Sequence, residues 1–431
     1  MKKAIQQSLI TGVLAFLVFG PISGLVLAGY DVDFHGERPL IIALVVALSR
    51  FAFILLADSK KGTQLSQIIF GRRDGGVTVS SGESHNYYLL FGGIIAAFAL
   101  PFILSKYWLS VAVLALIYVL LAMGLNIVVG LAGLLDLGFV AFYAVGAYGY
   151  ALGFQYLGLG FWSAIPFGAF LAACFGVVLG FPVLRMHGDY LAIVTLGFGE
   201  IIRLVLNNWV SFTGGPSGVF VPPPTILGLE FTRRAKQGGE PFHQFFDIAY
   251  SGSFRTIFLY LVLLLLVISI TFFVVRLRKM PLGRAWEALR EDEIACRSLG
   301  INHVTTKLSA FAMGAMVGGL GGVFFAASQG FVNPTSFTFF ESALILAIVV
   351  LGGLGSTIGV IVAALVLTVL PELLRDFSQY RVLLFGLAMV LMMIWRPRGL
   401  VRPKRPMFKL GSAVVAAHTP PTAESNFKVS H

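Results

Sequence analysis

Charged side chains are scarce in this chain of 431 residues, and the densest group of them lies in the segment Met280–Ile301. Pro281 stands where a helix can begin and Gly300 where one can end, so the segment predicts a short amphipathic helix. The residues at helical spacing on its apolar side are Leu282, Trp286, Leu289 and Cys296. Its polar side holds charges of both signs, including an acidic run that ends at Glu293, which is spaced i,i+4 from Arg297. Such a helix suits docking into a cleft of a soluble partner. The alternative is a helix that lies on lipid headgroups. The polar face of such a helix is mainly basic, whereas this segment carries an acidic run, so we favour docking.

A second set of polar residues lies within apolar stretches long enough to cross a membrane. Its members are Asn126, Asp136, Glu200, Arg203, Asn207 and Glu341. Charges in lipid are costly, so such residues normally face a transport pathway or a partner group. Glu200 and Arg203 are spaced i,i+3, so they either pair with each other or face a pathway. Asp136 lies in the glycine-rich stretch Gly130–Gly138, which indicates either unwound backbone at a cavity or, slightly favoured, close helix packing.

The sequence shows no arrangement for covalent chemistry or for holding a metal ion or cofactor. It contains no Gly-Lys dipeptide and therefore no phosphate loop for ATP. The seven histidines are scattered, and no paired acids or Ser/His arrangement occur on one side, so we expect neither a metal site nor an enzyme. If ATP drives transport, ATP and its Mg²⁺ bind to a partner chain.

Composition defines the environment of these residues. Hydrophobic residues make up 57% of the chain and charged residues only 12%, whereas a soluble domain usually has about 25% charged residues. The apolar residues form runs of about 20, the length that crosses roughly 30 Å of hydrocarbon. The net charge of +11 comes from basic residues in short loops, so it indicates membrane orientation rather than nucleic-acid binding. We expect an all-α, polytopic helical bundle with about ten to twelve membrane segments, some of them short or broken.

The apolar runs form two groups. An N-terminal pair, Leu9–Ala28 and Pro39–Ala57, predicts a two-helix hairpin (residues 1–57), followed by a cytoplasmic linker (residues 58–86) and a core (residues 87–400). The predicted crossings of the core are Tyr87–Ser105, Leu109–Val128, Leu134–Leu157, Phe161–Leu184, Asp189–Leu206, Thr256–Val275, Val304–Ala327, Phe337–Leu374 and Arg381–Trp395.

Polar stretches separate these crossings. Residues 207–255 predict an external loop, and residues 276–303 a cytoplasmic loop that holds the amphipathic helix. The run Phe337–Leu374 is too long for one crossing and is interrupted at Gly352–Ser356, so we expect two short helices there. Basic residues beside the crossings place both termini in the cytoplasm. Residues 401–431 predict a disordered cytoplasmic tail.

Four long motifs resemble the permeases of branched-chain amino acid ABC transporters, specifically the LivM type. These motifs are Gly188–Ile201, Thr213–Gly218, Gly283–Ile301 and Trp395–Leu400, and the resemblance covers nearly the whole chain from about residue 109 to residue 400. It implies a bacterial inner-membrane subunit that moves leucine, isoleucine or valine from the periplasm to the cytoplasm by alternating access. The implied partners are a second, LivH-like permease, two ATP-binding subunits of the LivG and LivF types, and a periplasmic amino-acid-binding protein.

The resemblance also implies a role for the segment Met280–Ile301, because it matches the ATPase-contacting segment of the family. The residues expected to serve this contact are Arg284, Glu287, Ala288, Arg290, Glu291, Asp292, Glu293 and Gly300. Two other functions stay open. Related permeases carry urea or short amides instead, and Asp136 and Glu200 would also suit a secondary amino acid transporter driven by protons or sodium ions.

Overall fold

The computed structural model describes residues 25–28, 31–34, 97–183, 186, 189–226, 229–231, 240–245, 252–373, 386, 390 and 399–400. The chain divides into two units, Met1–Glu83 and Ser84–His431. Several predicted parts fall outside the described residues: most of the N-terminal hairpin, the linker, most of the last crossing, and the C-terminal tail.

The described part of the first unit is a two-stranded antiparallel sheet. Strand β1 (Leu25–Ala28) pairs with strand β2 (Asp31–Phe34). The prediction of one helix over Leu9–Ala28 is therefore wrong for its last four residues.

The second unit is a bundle of long apolar helices. Within the described ranges, six helical segments are long and apolar enough to cross a membrane, and one shorter apolar helix accompanies them. The helices are α1 (Lys106–Leu125), α2 (Val140–Leu157), α3 (Phe161–Val183), α4 (Asp189–Asn208), α5 (Val210–Thr213), α6 (Phe242–Phe245), α7 (Phe254–Lys279), α8 (Pro281–Glu291), α9 (Glu293–Ser298), α10 (His303–Gln329), α11 (Phe339–Gly352) and α12 (Thr357–Leu373). The structure thus confirms an all-α polytopic membrane protein.

In the described part of this unit, five short strands lie between the helices. They are β3 (Val219–Phe220), β4 (Thr225–Ile226), β5 (Leu229–Glu230), β6 (Glu240–Pro241) and β7 (Phe331–Val332). β4 pairs with β5 in antiparallel and β5 with β6 in parallel orientation. β3 pairs with β7, which joins the long loop after α4 to the connection between α10 and α11.

Helix α10 packs closely against α1, α2 and α3, and glycines permit the close approach. A Cβ atom at Gly124 of α1 would lie 2.9 Å from the carbonyl oxygen of Gly314 in α10. A Cβ atom at Gly146 of α2 would overlap the backbone of Gly319 in α10. Lipid provides little hydrophobic driving force between helices, so backbone-to-backbone packing over small residues stabilises the contact.

The first of two helix breaks follows α1. Its first part, Asn126–Leu131, is π-helical, and an irregular stretch, residues 132–139, follows it. The sequence predicts that this helix begins at Leu134, but α2 begins at Val140. The reason is local, because Gly133 has a positive φ of 73°, a conformation that a regular helix does not contain.

The second break is the turn Gly353–Ser356 between α11 and α12, which confirms the prediction of two short helices in this run. Gly353 and Gly355 both have positive φ values, of 103° and 83°. The helices on either side pack tightly, since a Cβ atom at Gly359 of α12 would overlap the carbonyl oxygen of Gly352. We refer to Asn126–Leu131 as the π segment and to Gly353–Ser356 as the glycine turn.

Candidate functional site

The segment predicted as one amphipathic helix folds as two. Helix α8 ends at Glu291 and α9 begins at Glu293. Asp292 between them is extended, and its Oδ1 accepts hydrogen bonds from the backbone N–H groups of Ile294 (2.8 Å) and Ala295 (3.0 Å). Aspartate is a preferred N-cap residue. By accepting from the first free N–H groups of α9, Asp292 ends the first helix and starts the second. We call the two helices together the α8–α9 pair.

One side of the α8–α9 pair is packed on α10. Trp286 is fully buried, and its indole N–H donates to the carbonyl oxygen of Thr306 (3.1 Å) and to the hydroxyl of Ser309 (3.0 Å). Leu289 and Cys296 are buried as well, as the helical spacing predicts. The indole N–H is shared between two acceptors on α10, so Trp286 anchors α8 to that helix.

Gly300 follows α9, at the position where the sequence predicts the helical segment to stop. Its φ of 81° is in the left-handed region that favours glycine. The N–H of Ile301 donates to the carbonyl oxygen of Cys296 (3.0 Å), which satisfies an acceptor at the end of α9.

Glu287 and Glu293 each pair with a cation of a neighbouring helix. Glu287 accepts from Arg278 near the end of α7 (2.5 Å). Glu293 binds Arg297 (2.6 Å), as predicted, and also Lys307 of α10 (2.8 Å), whose side chain is only 3% exposed. Burial acts to raise the pKa of the Glu293 carboxyl, but the hydrogen bonds and charges of Lys307 and Arg297 outweigh it and hold this pKa below its ordinary value.

The other side of the α8–α9 pair is exposed. The predicted contact residues that are exposed are Arg284, Arg290, Glu291, Asp292 and Gly300, and those that are half-buried are Glu287, Ala288 and Glu293. Among them stand large apolar side chains, with Ile294 77% and Leu299 80% exposed. Leu282 is also exposed, so its predicted place on the buried side is wrong; the neighbouring Gly283 instead makes the close contact with the end of α7. Apolar side chains exposed among charges are typical of a protein-docking surface.

The α8–α9 pair is connected by hydrogen bonds to both helix breaks, directly to the π segment and through Arg278 of α7 to the glycine turn. The guanidinium of Arg290 donates to the carbonyl oxygen of Gly130 in the π segment. The guanidinium of Arg278, which Glu287 also binds, donates to the carbonyl oxygen of Gly355 in the glycine turn (3.3 Å). Arginine presents several donors in a fixed plane, so one side chain can hold two partners at once.

The two breaks are also bonded to each other. Asn126 is 1% exposed, and its Oδ1 accepts a hydrogen bond from the backbone N–H of Gly355 (2.9 Å). A Cβ atom at Gly130 would overlap the Asn126 side chain and lie 2.6 Å from the Gly355 nitrogen. Asn126, one of the predicted intramembrane polar residues, therefore contacts the backbone of a second helix break.

Asp136 is fully buried in the turn before α2. Its Oδ1 accepts from the N–H of Gly138 (2.9 Å), and the N–H of Leu137 donates to the hydroxyl of Thr195 in α4 (3.0 Å). A Cβ atom at Gly138 would overlap the Thr195 carbonyl, so the turn packs directly on α4, as the packing interpretation predicts. Among the residues that the structure describes, the Oδ2 atom of Asp136 has no hydrogen-bond partner.

A cavity of about 260 Å³ lies between this turn and the α8–α9 pair. Its lining comprises residues 132–135, Met186, Leu191, Leu289, Arg290, Glu293 and Lys307. The pair is therefore anchored to α10 on one flank and borders open space on another, which leaves room for it to shift.

The remaining predicted polar residues lie apart from the α8–α9 pair. Glu200 and Arg203 of α4 form an ion pair (2.8 Å) with about a third of each side chain exposed, so the predicted mutual pairing is present. Asn207 is half-buried near the end of the same helix. Glu341 in the first turn of α11 accepts a hydrogen bond from the hydroxyl of Tyr118 in α1 (2.6 Å).

Sequence reasoning missed three residues that complete these contacts, namely Arg278, Lys307 and Tyr118. Lys307 carried the clearest signal, because it is a single cation inside a predicted membrane crossing and requires a buried counter-charge. Tyr118 carried none, since its partner Glu341 is 223 residues away in the chain.

Comparison with known proteins agrees with this architecture. Residues 107–395 match the model of a family described as branched-chain amino acid transport system / permease component. The chain is 57% identical over 319 residues to the high-affinity branched-chain amino acid transport system permease protein LivM of Escherichia coli K12, covering 74% of this chain and 75% of that protein. It is 26% identical over 262 residues to a probable LivM of Methanocaldococcus jannaschii, covering 55% and 68%.

A second permease type is also similar. The chain is 23% identical over 304 residues to the permease protein LivH of Escherichia coli K12, covering 67% of this chain and 92% of that protein. The chain matches no solved structure. Since both the family model and the 57% identical relative cover about two thirds of the chain or more, this multi-pass membrane protein belongs to the family of branched-chain amino acid transport permeases.

Proposed function

We propose that this chain moves leucine, isoleucine and valine across a bacterial inner membrane as one of two permease subunits of an ATP-driven importer. The second subunit would be LivH-like, since relatives of both names are similar to this chain. Hydrolysis of Mg-ATP would take place on two separate ATP-binding subunits, and a periplasmic binding protein would deliver the amino acid. Both termini and the α8–α9 pair would lie in the cytoplasm.

The α8–α9 pair carries the proposal. Its exposed side offers Ile294 and Leu299 among charges of both signs, which suits a cleft on an ATPase. Its buried side is held to α10 by Trp286, and the basic residues that end α7 favour the cytoplasmic side of the membrane. A surface helix that only rested on lipid would not require these anchors.

The contacts suggest how ATPase closure reaches the membrane. A displacement of the α8–α9 pair would pull on Gly130 through Arg290 and on Gly355 through Arg278. Both are backbone atoms in helix breaks, where the chain is not held by a regular helical hydrogen-bond ladder. The breaks would therefore bend first, and the permease would change from outward-facing to inward-facing.

Replacing Glu287 with glutamine tests this proposal. The substitution removes the charge that holds Arg278 but preserves the shape of the side chain. In proteoliposomes containing both permeases, both ATPases and the binding protein, we expect leucine uptake to fall roughly tenfold, because a charge-assisted hydrogen bond to Arg278 is replaced by a weaker, neutral one. ATP hydrolysis should continue, because the ATPases themselves are unchanged.

The matched control is Glu200→Gln, which breaks an ion pair of similar exposure within α4. It should leave both uptake and hydrolysis close to those of the unsubstituted complex. Equal uptake in the Glu287→Gln and unsubstituted complexes would refute the role of the α8–α9 pair.

Leucine uptake by this chain alone along a proton or sodium gradient, abolished by Glu200→Gln, would instead show a secondary transporter. Competition by urea or short amides, but not by valine, would show the other substrate class.

A further inference from the structure

A carboxylate lies deep within the membrane part of the bundle. Glu341 of α11 accepts a hydrogen bond from Tyr118 of α1. Tyr118 is 12 positions after Lys106, where α1 begins, which places it about 18 Å along the helix axis. The apolar segment to which it belongs, Lys106–Leu131, has 26 residues, so Tyr118 lies about midway along a segment long enough to cross a membrane.

Aromatic rings surround this pair on its inner side. Tyr143 of α2 lies near both Tyr118 and Glu341. The Tyr143 ring centroid is 5.1 Å from that of Phe325 in α10 and 5.1 Å from that of Phe337, just before α11. Tyr143 and Phe337 are buried, so this side of the cluster is closed by protein.

The outer side of the cluster is open. Tyr118, Phe325 and Glu341 are only half-buried in the described structure. A carboxylate at mid-membrane depth that faced lipid would be very costly, so intramembrane acids normally face a water-filled pathway or a polar group. The open side of Glu341 therefore faces something other than lipid.

Two buried hydroxyls lie on helices that also contribute to the cluster, Ser342 on α11 and Tyr148 on α2. Ser342 follows Glu341 in α11, and the Tyr148 ring is 6.2 Å from the Phe337 ring. Within the part of the chain that the structure describes, neither Ser342 Oγ nor the Tyr148 hydroxyl has a hydrogen-bond partner, although both residues are at most 2% exposed. Buried polar groups are nearly always hydrogen-bonded, so these two are available to a ligand or to a water that a ligand displaces.

We infer that Glu341 and Tyr118, with the rings of Tyr143 and Phe325, form a subsite that binds the ammonium group of the amino acid in transit. The inference rests on the proposed function and specifies where the permease recognises its substrate. A carboxylate next to aromatic rings is a favourable environment for a substituted ammonium ion, and the rings also suit a branched aliphatic side chain.

The test uses Glu341→Gln in the complete reconstituted complex, with radiolabelled leucine. Glutamine can still accept the Tyr118 hydrogen bond but cannot balance an ammonium charge. We expect leucine uptake to fall roughly tenfold or more, while Glu341→Asp, which keeps the charge, recovers part of the loss. Tyr118→Phe, which keeps the ring and removes the hydrogen bond, should lower uptake about twofold to fivefold.

The control is Glu372→Gln, which removes another half-buried carboxylate near the end of α12 and should leave uptake unchanged. Co-purification of the second permease and ATP hydrolysis in the absence of leucine should be the same for all variants. Normal uptake in Glu341→Gln would overturn the subsite, and so would loss of the second permease, because Glu341 would then be an assembly contact. If the unsubstituted complex imports no leucine at all, the proposed function fails and the subsite fails with it.

Discussion

Replacing Gly130 with alanine tests whether the two helix breaks form one unit. The new Cβ atom would overlap the Asn126 side chain and lie 2.6 Å from the backbone nitrogen of Gly355. The alanine can be accommodated only if Asn126 or the glycine turn moves, and overpacking of this kind costs about 1–3 kcal/mol. Either movement breaks the hydrogen bond from Gly355 to Asn126, and an unsatisfied buried N–H costs about 1–3 kcal/mol more. The free energy of unfolding should therefore fall by a few kcal/mol.

The assay is thermal unfolding of the detergent-purified complex, together with the ratio of leucine imported to ATP hydrolysed. Gly197→Ala is the matched control, because no atom lies within 4 Å of its Cβ position in α4. It should leave the unfolding temperature unchanged or raise it slightly, since alanine is favoured over glycine in a helix by about 0.5–1 kcal/mol. Gly130→Ala should lower both the unfolding temperature and the transport ratio. An unfolding temperature equal to that of the Gly197→Ala complex would show that the breaks are not in contact.

Two further predictions concern the α8–α9 pair. Asp292→Ala removes the N-cap hydrogen bonds from Ile294 and Ala295 and should destabilise α9 by about 1 kcal/mol. The ratio of leucine imported to ATP hydrolysed should fall without loss of hydrolysis. An unchanged ratio would contradict a role for the bend between α8 and α9. Because Lys307 and Arg297 hold the pKa of Glu293 below its ordinary value of 4.5, this carboxylate stabilises the fold above that pH and the contribution is lost as pH falls through the folded-state pKa. The unfolding temperature should thus decrease below about pH 4.5, less steeply in Glu293→Gln, and equal steepness in both would refute the assignment.

The sequence predicts most of the described helices because the membrane imposes their length and composition. The apolar runs at 256–275 and 304–327 lie inside α7 and α10, which extend past them by one to four residues at each end. Errors occur where the backbone leaves the regular helix. Gly133 and Asp136 form a turn inside an apolar run, and hydropathy does not register such a turn.

The site was less accessible to sequence reasoning. The spacing of Glu293 and Arg297 reveals their ion pair, because both lie within one helix. The bond from Arg290 to Gly130 joins residues 160 positions apart, and the bond from Asn126 to Gly355 joins residues 229 positions apart. Such contacts depend on how the bundle is assembled, which a single sequence does not contain. Asp292 carried a local signal that was overlooked, since aspartate is a common residue at the start of a helix.

Helix α11 connects the two parts of the molecule to which we assign a role. Glu341 lies in its first turn, and Gly352 is its last residue, directly before the glycine turn that Arg278 and Asn126 contact. Eleven positions separate Glu341 from Gly352, or about 16 Å of helix. A helix of this length moves as a rigid body, so a bend at the glycine turn would tilt the far end and shift Glu341 against Tyr118. The same displacement that the α8–α9 pair transmits would therefore weaken the ammonium subsite. Release of the amino acid would then be coupled to movement of the ATPases, although the ATPases do not touch the subsite.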